Sequence, residues 1–180
     1  MNISNQKISA GSPFPSIRLN TLSGSQIEIA NPVNGTDWQM VVVYRGKHCP
    51  LCTRYLQQLE EMKNKFYDLG IGIIVVSADP EEKAVAHNQE MKLSFPVAYG
   101  LSIEQMKTLG LYISNPRSSQ ETDRLFSEPG LFIINDKGQV QVIDISNGPF
   151  SRPDLETLVS GLEFIRNPEN NYPIRGTYSD

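Results

Sequence analysis

Both cysteines of this chain lie in one tetrapeptide, which begins at Cys49 and ends at Cys52. An apolar run at residues 40–44 precedes the pair, and apolar residues at helical spacing follow it. At such a strand-to-helix turn, free backbone N–H groups and the positive end of the helix dipole stabilise a thiolate on the first cysteine. A thiolate attacks a disulfide sulfur or a peroxide oxygen, and a second cysteine then resolves the product. The sequence therefore predicts Cys49 and Cys52 as the catalytic pair of a redox site.

Side chains that flank the pair in sequence are candidates for assisting it. Arg45 follows the predicted strand, so it is the better candidate for holding an anionic or polar substrate. His48 either covers the disulfide as a neutral side chain or, as a cation, lowers the thiol pKa. We interpret Lys47 as a solvated loop charge.

Two other uses of paired cysteines are weaker interpretations. A structural zinc site usually needs four ligands, and this chain has two Cys and two His in all. One of those histidines, His87, lies on a separate predicted helix, although a site shared across a dimer stays open. A purely structural disulfide would close a ring too small to restrain much chain entropy. We therefore expect neither a metal nor another cofactor.

Composition narrows the class of protein. With 39% hydrophobic and 20% charged residues among 180, the chain has enough apolar surface for one packed domain. We assign 1–36 to an N-terminal extension with a hairpin and 167–180 to a surface tail. A net charge of −4 argues against a nucleic-acid partner. No apolar run is long enough to span a membrane and no secretory h-region is visible, so we expect a cytoplasmic protein without a membrane partner.

Periodicity along the chain predicts a repeated alternation of strands and helices. Strands are predicted at 17–19, 27–29, 38–44, 71–76, 95–99, 131–134 and 140–143, and helices from the cysteine pair to Leu69, from Asp79, at 102–109 and at 155–165. Asp79 is predicted to cap its helix, with Glu82 completing a capping box. Residues 115–128 are polar and predict a long loop. This order indicates an α/β fold with a central mixed β-sheet and helices on both faces.

The segment 41–52 carries a resemblance to a known family. A strand that ends in Tyr44, Arg45 and Gly46 leads into Cys-Pro-x-Cys. This segment resembles the thioredoxin-like superfamily and, more closely, the peroxiredoxin-like branch of the alkyl hydroperoxide reductase C / thiol-specific antioxidant (AhpC/TSA) family. The resemblance implies a thioredoxin-like three-layer fold and an antioxidant peroxidase with a redox-active disulfide. It also implies a peroxide or disulfide substrate and a thioredoxin- or glutathione-type electron donor. A homodimer is compatible with the resemblance.

The same resemblance assigns two residues outside the tetrapeptide. Tyr44, at the end of the strand, is expected to support the site. Pro129 lies just before the late predicted strand, where thioredoxin-like folds carry a cis proline that faces the dithiol. We therefore expect the peptide bond before Pro129 to be cis.

The order in which the cysteines react stays open. Peroxiredoxins carry a proline seven residues and a Thr or Ser three residues before the peroxide-reactive cysteine. Counted from Cys52 these places hold Arg45 and Cys49, and counted from Cys49 they hold Val42 and Gly46, so neither register matches. In thioredoxin-type chemistry Cys49 attacks and Cys52 resolves, whereas peroxiredoxin-type chemistry reverses the roles. We prefer the first order, because the first cysteine at a helix start is usually the more exposed.

Three functions remain compatible with the sequence. The leading hypothesis is a peroxidase that reduces hydrogen peroxide or alkyl hydroperoxides through the dithiol. The second is a thioredoxin- or glutaredoxin-like protein disulfide reductase without useful peroxidase activity. The third is a non-catalytic redox-sensing module, in which the long loop at 115–128 responds to the state of the dithiol.

Overall fold

The computed structural model describes residues 8–33 and 35–179. A five-stranded mixed sheet forms its centre, and two small two-stranded sheets, β1–β2 and β6–β7, accompany it. The strands of all three sheets are β1 (Arg18–Asn20), β2 (Gln26–Glu28), β3 (Trp38–Val43), β4 (Ile71–Val76), β5 (Val97–Ala98), β6 (Ile113–Ser114), β7 (Phe126–Ser127), β8 (Gly130–Ile134) and β9 (Val140–Ile145). The helices are α1 (Pro50–Asp68), α2 (Glu81–Met91), α3 (Ile103–Thr108) and α4 (Leu155–Arg166), followed by a 3-10 turn at Pro168–Asn170.

The strand that leads to the dithiol is the middle strand of this sheet. The order across the sheet is β5-β4-β3-β8-β9, with β3 parallel to β4 and antiparallel to β8. Every residue of β3 and β4 is buried, and nearly all are apolar, as expected for strands covered on both faces. The end of β3 is therefore held by neighbours on both sides.

Alternate residues of β3 point into two separate cores. Met40 and Val42 pack with Leu56 of α1 and with residues of α4. Val41 and Val43 pack on the opposite face with α3 and with the β1–β2 hairpin. The result is a three-layer α/β fold with a central mixed sheet and an N-terminal hairpin, which confirms the predicted architecture.

Helix α1 begins and ends where the sequence predicts. Cys49 is its N-cap, Pro50 is its first residue, and Leu69 is its C-cap. Gly70 follows with φ +75°, a conformation in which glycine carries no steric penalty. Because the helix starts directly after the loop that follows β3, its N-terminus lies at the end of the central strand.

Two local predictions are wrong. Asp79 does not cap α2, because the helix begins after Pro80 as N-cap and no side chain bonds to its first N–H groups. The carboxylate of Asp79 turns instead to the loop before the dithiol. The polar segment 115–128 is not a loop throughout, since its last part forms β7, which pairs with β6 in a small antiparallel ribbon.

The division of the chain at residues 36 and 167 stays a prediction, and residues 1–7, 34 and 180 lie outside the described part of the chain. The β1–β2 hairpin packs on the main sheet through buried Ile17, Leu19 and Ile29. Within the ranges that the structure describes, no helix has both the length and the hydrophobicity needed to cross a membrane.

Candidate active site

The dithiol occupies the first turn of α1. The backbone N–H of Cys52 donates to Sγ of Cys49 across 3.3 Å, so the thiol of Cys49 is itself the helix cap. Both thiols are free and buried, with Cys49 2% and Cys52 0% exposed. The two cysteines therefore differ little in solvent exposure. Their electrostatic surroundings distinguish their reactivity more clearly.

Those surroundings favour a thiolate on Cys49. The pKa of Cys49 is lowered to about 6, and the largest cause is the hydrogen bond that the Cys52 side chain donates to it. The Cys52 backbone N–H and the positive charges of Arg45 and Arg152 act in the same direction, whereas burial opposes them. The same hydrogen bond, together with burial, raises the pKa of Cys52. At neutral pH these shifts favour an ionised Cys49 and a protonated Cys52.

Arg45 is held by a buried carboxylate. Its Nη2 donates to Oε1 of Glu128 across 3.1 Å, and its Nε lies 3.1 Å from Oε2 of the same residue. The Glu128 side chain is 4% exposed and also accepts a hydrogen bond from the Ser114 hydroxyl. Arg45 interacts both with Glu128 and with Cys49, so its positive charge lies between a carboxylate and the sulfur.

His48 is placed as a neutral cover. The His48 ring packs edge-on against the Phe126 ring of β7, with 4.5 Å between the centroids. The Arg45 guanidinium lies 4.7 Å from the centroid of the Phe126 ring. Burial lowers the pKa of His48. Neither ring nitrogen has a hydrogen-bond partner within the described residues. The neutral interpretation of His48 thus fits better than the cationic one.

A hydrogen bond to Asp79 fixes the loop between β3 and the dithiol. Oδ2 of Asp79 accepts the backbone N–H of Lys47 across 2.7 Å. Gly46 has φ +129°, and a Cβ at this position would lie 2.7 Å from the same oxygen. Only glycine fits this approach without strain. The Lys47 side chain is exposed, as predicted.

A second buried contact reaches the loop from α2. The Thr53 hydroxyl donates to the carbonyl oxygen of Cys49 at 3.3 Å and lies 2.8 Å from Nε2 of His87. His87 is fully buried, and its ring centroid is 5.9 Å from that of Tyr44. Tyr44 is also fully buried, so its side chain is out of reach of a substrate in this conformation.

Arg152, from the loop before α4, lies near the dithiol and packs on Tyr55. Its guanidinium lies 4.4 Å from the centroid of the Tyr55 ring, and the Tyr55 hydroxyl donates to the carbonyl oxygen of Pro153 across 2.7 Å. Nε and Nη1 of Arg152 are buried and have no hydrogen-bond partner in the described part of the chain. The positive charge of Arg152 acts on the Cys49 sulfur.

A cavity of about 650 Å³ opens at Cys49. Its walls come from the dithiol turn, from the polar segment 115–128 and from the loop before α4; the lining residues are Arg45, His48, Cys49, Pro50, Leu51, Arg117, Ser118, Gln120, Glu121 and Pro149. The structure therefore brings Arg45, His48 and Cys49, three of the residues predicted for the site, to one opening.

The prediction of a cis bond before Pro129 is wrong, since the described residues contain no cis peptide bond. The trans chain already satisfies its backbone groups, because the Glu128 N–H donates to Tyr112 and the Pro129 carbonyl accepts the N–H of Ser146. A trans bond is also the more stable form of X-Pro by about 0.5–1 kcal/mol.

Sequence reasoning missed several residues that shape the site. The sequence around Asp79 is typical of a helix cap, and nothing local to Glu128 indicates its contact with Arg45. His87 bonds to Thr53, and the described residues contain no cluster of three or more side chains suited to a metal ion. Arg152 carries no local signal, and its contact with Tyr55 depends on the packing of α4 against α1.

The sequence matches the model of the AhpC/TSA family over residues 10–143. The chain belongs to this family. It is accordingly an oxidoreductase of the thiol-dependent, peroxiredoxin-like kind. No curated protein sequence matches this AhpC/TSA member.

Solved peroxiredoxins share the fold of this family member. A mutant of peroxiredoxin 6 from Arenicola marina aligns with a TM-score of 0.77 and 14% identity, covering 90% of this chain and 75% of that one. A peroxiredoxin-like protein from Aquifex aeolicus gives a TM-score of 0.71 and 15% identity, covering 87% of each chain. AhpC from Mycobacterium tuberculosis gives 0.72 and 17%, covering 91% of this chain and 96% of that one. At such low identity the likeness shows the fold alone.

Proposed function

We propose that this protein reduces hydrogen peroxide or alkyl hydroperoxides through a dithiol/disulfide cycle of Cys49 and Cys52. The observation that carries the proposal is the position of Cys49 at the N-cap of α1, where its surroundings favour a thiolate. Its sulfur accepts hydrogen bonds from Cys52, and the nearby arginines help to hold its pKa at about 6. A thiol with this pKa is mostly ionised at neutral pH, whereas a free cysteine with a pKa of about 8.5 is not.

The cycle uses the two cysteines, one molecule of peroxide and an external donor of two electrons. The Cys49 thiolate attacks the terminal oxygen of ROOH, the O–O bond breaks, and RO⁻ leaves and takes a proton to become ROH. Cys49 is then a sulfenic acid, which the Cys52 sulfur attacks with loss of water to form the disulfide. An external donor of two electrons, either one thioredoxin-type dithiol or two molecules of glutathione, returns the pair to the reduced state.

Arg45 and Arg152 are the residues suited to stabilise the leaving oxygen. Peroxiredoxins use a hydroxyl three residues before the reactive cysteine, and here that position is Gly46. Both guanidiniums act on the Cys49 sulfur by charge, and Arg152 has two free N–H donors in the region described. Donors aimed at a developing oxyanion stabilise the transition state more than the ground state.

Rapid mixing of the reduced protein with hydrogen peroxide or an alkyl hydroperoxide tests the proposal. We expect Cys49→Ser to abolish peroxide consumption, and Cys52→Ser to retain one turnover that ends at a sulfenic acid. Mass analysis of both thiols follows the products. A second-order rate no greater than that of a free thiol, or loss of the first step in Cys52→Ser alone, would overturn the proposal.

A protein disulfide reductase is the second candidate. The glycine at position 46 favours it, because disulfide exchange needs a thiolate and an accessible opening but no hydroxyl to polarise an O–O bond. It predicts that the reduced protein reduces insulin or a mixed disulfide, and that Cys49→Ser abolishes this activity. Membership of an oxidoreductase family leaves the non-catalytic sensor without an observation in its favour.

Location and assembly complete the proposal. We place the cycle in the cytoplasm, where thiols are kept reduced and a dithiol can turn over. A homodimer fits the same family context. Fractionation of the source cells and sedimentation of the purified chain test these two points.

A further inference from the structure

We infer that residues 115–125, which connect β6 to β7, form a lid over Cys49 and that Lys83 of α2 is the latch that holds this lid closed. The closed lid admits a peroxide and excludes a folded protein, so Lys83 is a specificity-determining residue. The inference rests on the proposed dithiol chemistry, because it concerns which of the two proposed substrates reaches the Cys49 sulfur.

The lid forms one wall of the Cys49 cavity. Its residues Arg117, Ser118, Gln120 and Glu121 line this opening. Cys49 itself is only 2% exposed. A substrate therefore reaches the sulfur through the cavity, and the position of the lid decides how wide the approach is.

Lys83 carries the hydrogen bonds that join the lid to the rest of the described chain. Its Nζ donates to Oγ1 of Thr122 across 3.3 Å and to Oδ1 of Asp123 across 2.5 Å. Every other hydrogen bond of the lid among the described residues stays within it, as between Arg117 and Glu121. One ammonium group is thus the polar link between α2 and the lid.

Apolar packing contributes little to holding the lid in place. Neither of the two apolar cores includes a residue of 115–125, all of which the structure describes. Glu121 and Thr122 face a polar cavity of about 280 Å³ instead, and its other lining residues are Lys47, His48, Asp79, Lys83 and Glu90. Segments with few buried apolar contacts and few hydrogen bonds open at a low free-energy cost. The lid can therefore open while the sheet and helices stay packed.

The two proposed substrates need different positions of the lid. A hydroperoxide fits into the existing cavity of about 650 Å³. In a mixed disulfide the two Cα atoms lie about 4.4–6.8 Å apart, so the backbone of a folded substrate must come directly over Cys49. A cysteine that is buried under the lid cannot be approached in this way until that wall moves. The closed latch therefore favours peroxide over protein disulfides.

The exchange that the latch controls balances without a further reagent. The Cys49 thiolate attacks one sulfur of the protein disulfide, and the other sulfur leaves as a thiolate and takes a proton. Cys52 gives up its proton and attacks Cys49, which releases the first substrate sulfur as a second thiolate. The substrate gains two electrons, and Cys49 and Cys52 become a disulfide.

Labelling of Cys49 with two maleimides measures the lid directly. N-ethylmaleimide is small, and a maleimide coupled to dextran is bulky. Both are neutral and react by the same chemistry, so the ratio of their rates reports access to the sulfur and not its ionisation. We expect Lys83→Met to raise the bulky-to-small ratio about two- to fivefold, the factor that an exposed ion pair contributes.

Two further measurements separate the latch from a general change in the protein. Added salt should raise the ratio in the wild-type protein and change it little in Lys83→Met, because salt screens exposed charges. Lys65→Met is the matched control, since Lys65 of α1 forms an exposed ion pair with Glu156 of α4, 3.0 Å apart. It removes the same charge and should leave the ratio unchanged.

Activity assays complete the test. Lys83→Met should reduce insulin faster by a similar factor, while its consumption of hydrogen peroxide stays within about twofold. An unchanged labelling ratio in Lys83→Met, an equal rise in Lys65→Met, a wild-type ratio that ignores salt, or equal changes in the insulin and peroxide rates would overturn the inference. Wild-type protein that acts on neither substrate would instead remove the proposed function, and the labelling result would still decide whether Lys83 holds the lid.

Discussion

The carboxylate of Asp79 accepts the backbone N–H of Lys47 across 2.7 Å and so ties the end of β4 to the loop that carries the dithiol. Asp79 is buried, and its loss leaves that N–H without its acceptor. We expect Asp79→Ala to lower the free energy of unfolding by about 1–3 kcal/mol and to slow alkylation of Cys49. Chemical denaturation and iodoacetamide labelling measure the two effects. Glu61→Gln, at an exposed site on α1, should change neither, and equal effects in both variants would contradict the role of Asp79.

Gly46→Ala tests the same contact from the opposite side. The new Cβ would meet Asp79 at 2.7 Å in a backbone conformation with φ +129°, so strain and collision combine. We expect a loss of about 3 kcal/mol of stability together with lower activity. Gly24→Ala is the matched control, because its φ is +86° and nothing lies within 4 Å of the added atom. It should cost only about 1–2 kcal/mol and leave activity intact. Equal losses would show that the backbone angle alone matters.

The rate of Cys49 alkylation should rise with pH and reach half its maximum near the pKa of about 6. The sign follows from the thiolate, which is lost as pH falls through this value. Because the Cys52 hydrogen bond is the largest cause of the lowered pKa, Cys52→Ala should move the midpoint upward. Cys52→Ser keeps an O–H donor and should move it less. A midpoint near 8.5 in the wild-type protein, the value for a free cysteine, would contradict the assignment of Cys49 as nucleophile.

Opposite changes at the two ends of the Arg45–Glu128 ion pair should move the Cys49 pKa in opposite directions. Arg45→Gln removes a positive charge beside the thiolate and raises the pKa. Glu128→Gln leaves the charge of Arg45 unbalanced and lowers it. Each change should reduce stability by about 1–3 kcal/mol, because it leaves a buried partner unpaired. The pH profile of alkylation reads the pKa, and the double variant should restore it towards the wild-type value.

Thr53→Val removes the hydroxyl that joins His87 to the carbonyl oxygen of Cys49 and keeps the shape of the side chain. We expect a loss of about 1–3 kcal/mol, because Nε2 of buried His87 is left without its partner. Thr53→Ser keeps the hydroxyl and should retain most of the stability. Thermal unfolding of the two variants makes the comparison, and equal midpoints would show that the hydrogen bond is unimportant.

Local pattern predicted the elements that position the dithiol. The β3–α1–β4 unit follows from an apolar run, a helical repeat and a second apolar run, all within neighbouring residues. The prediction of a thiolate at Cys49 follows from the N-cap position that this unit creates. These inferences needed no knowledge of how distant segments pack.

The errors and omissions come from contacts between distant segments. Asp79 fits a capping box by its neighbours, yet the structure uses it for Lys47 on the preceding strand-to-helix loop. Glu128 and Arg152 approach the dithiol only after β8 and α4 have packed, so no local periodicity marks them. Pro129 was assigned a cis bond by resemblance, and its own backbone partners are compatible with the trans form.

The β6–β7 ribbon has a consequence for how this protein diversifies. The ribbon fixes both ends of the polar segment between its strands, and residues of that segment, Ser118 and Gln120, line the Cys49 cavity. Insertions or substitutions at the tip can therefore alter what enters the cavity without disturbing the sheet, since loop length is thermodynamically inexpensive. Selection for a new substrate can act on this one surface segment while the sulfur chemistry at the end of β3 stays constant.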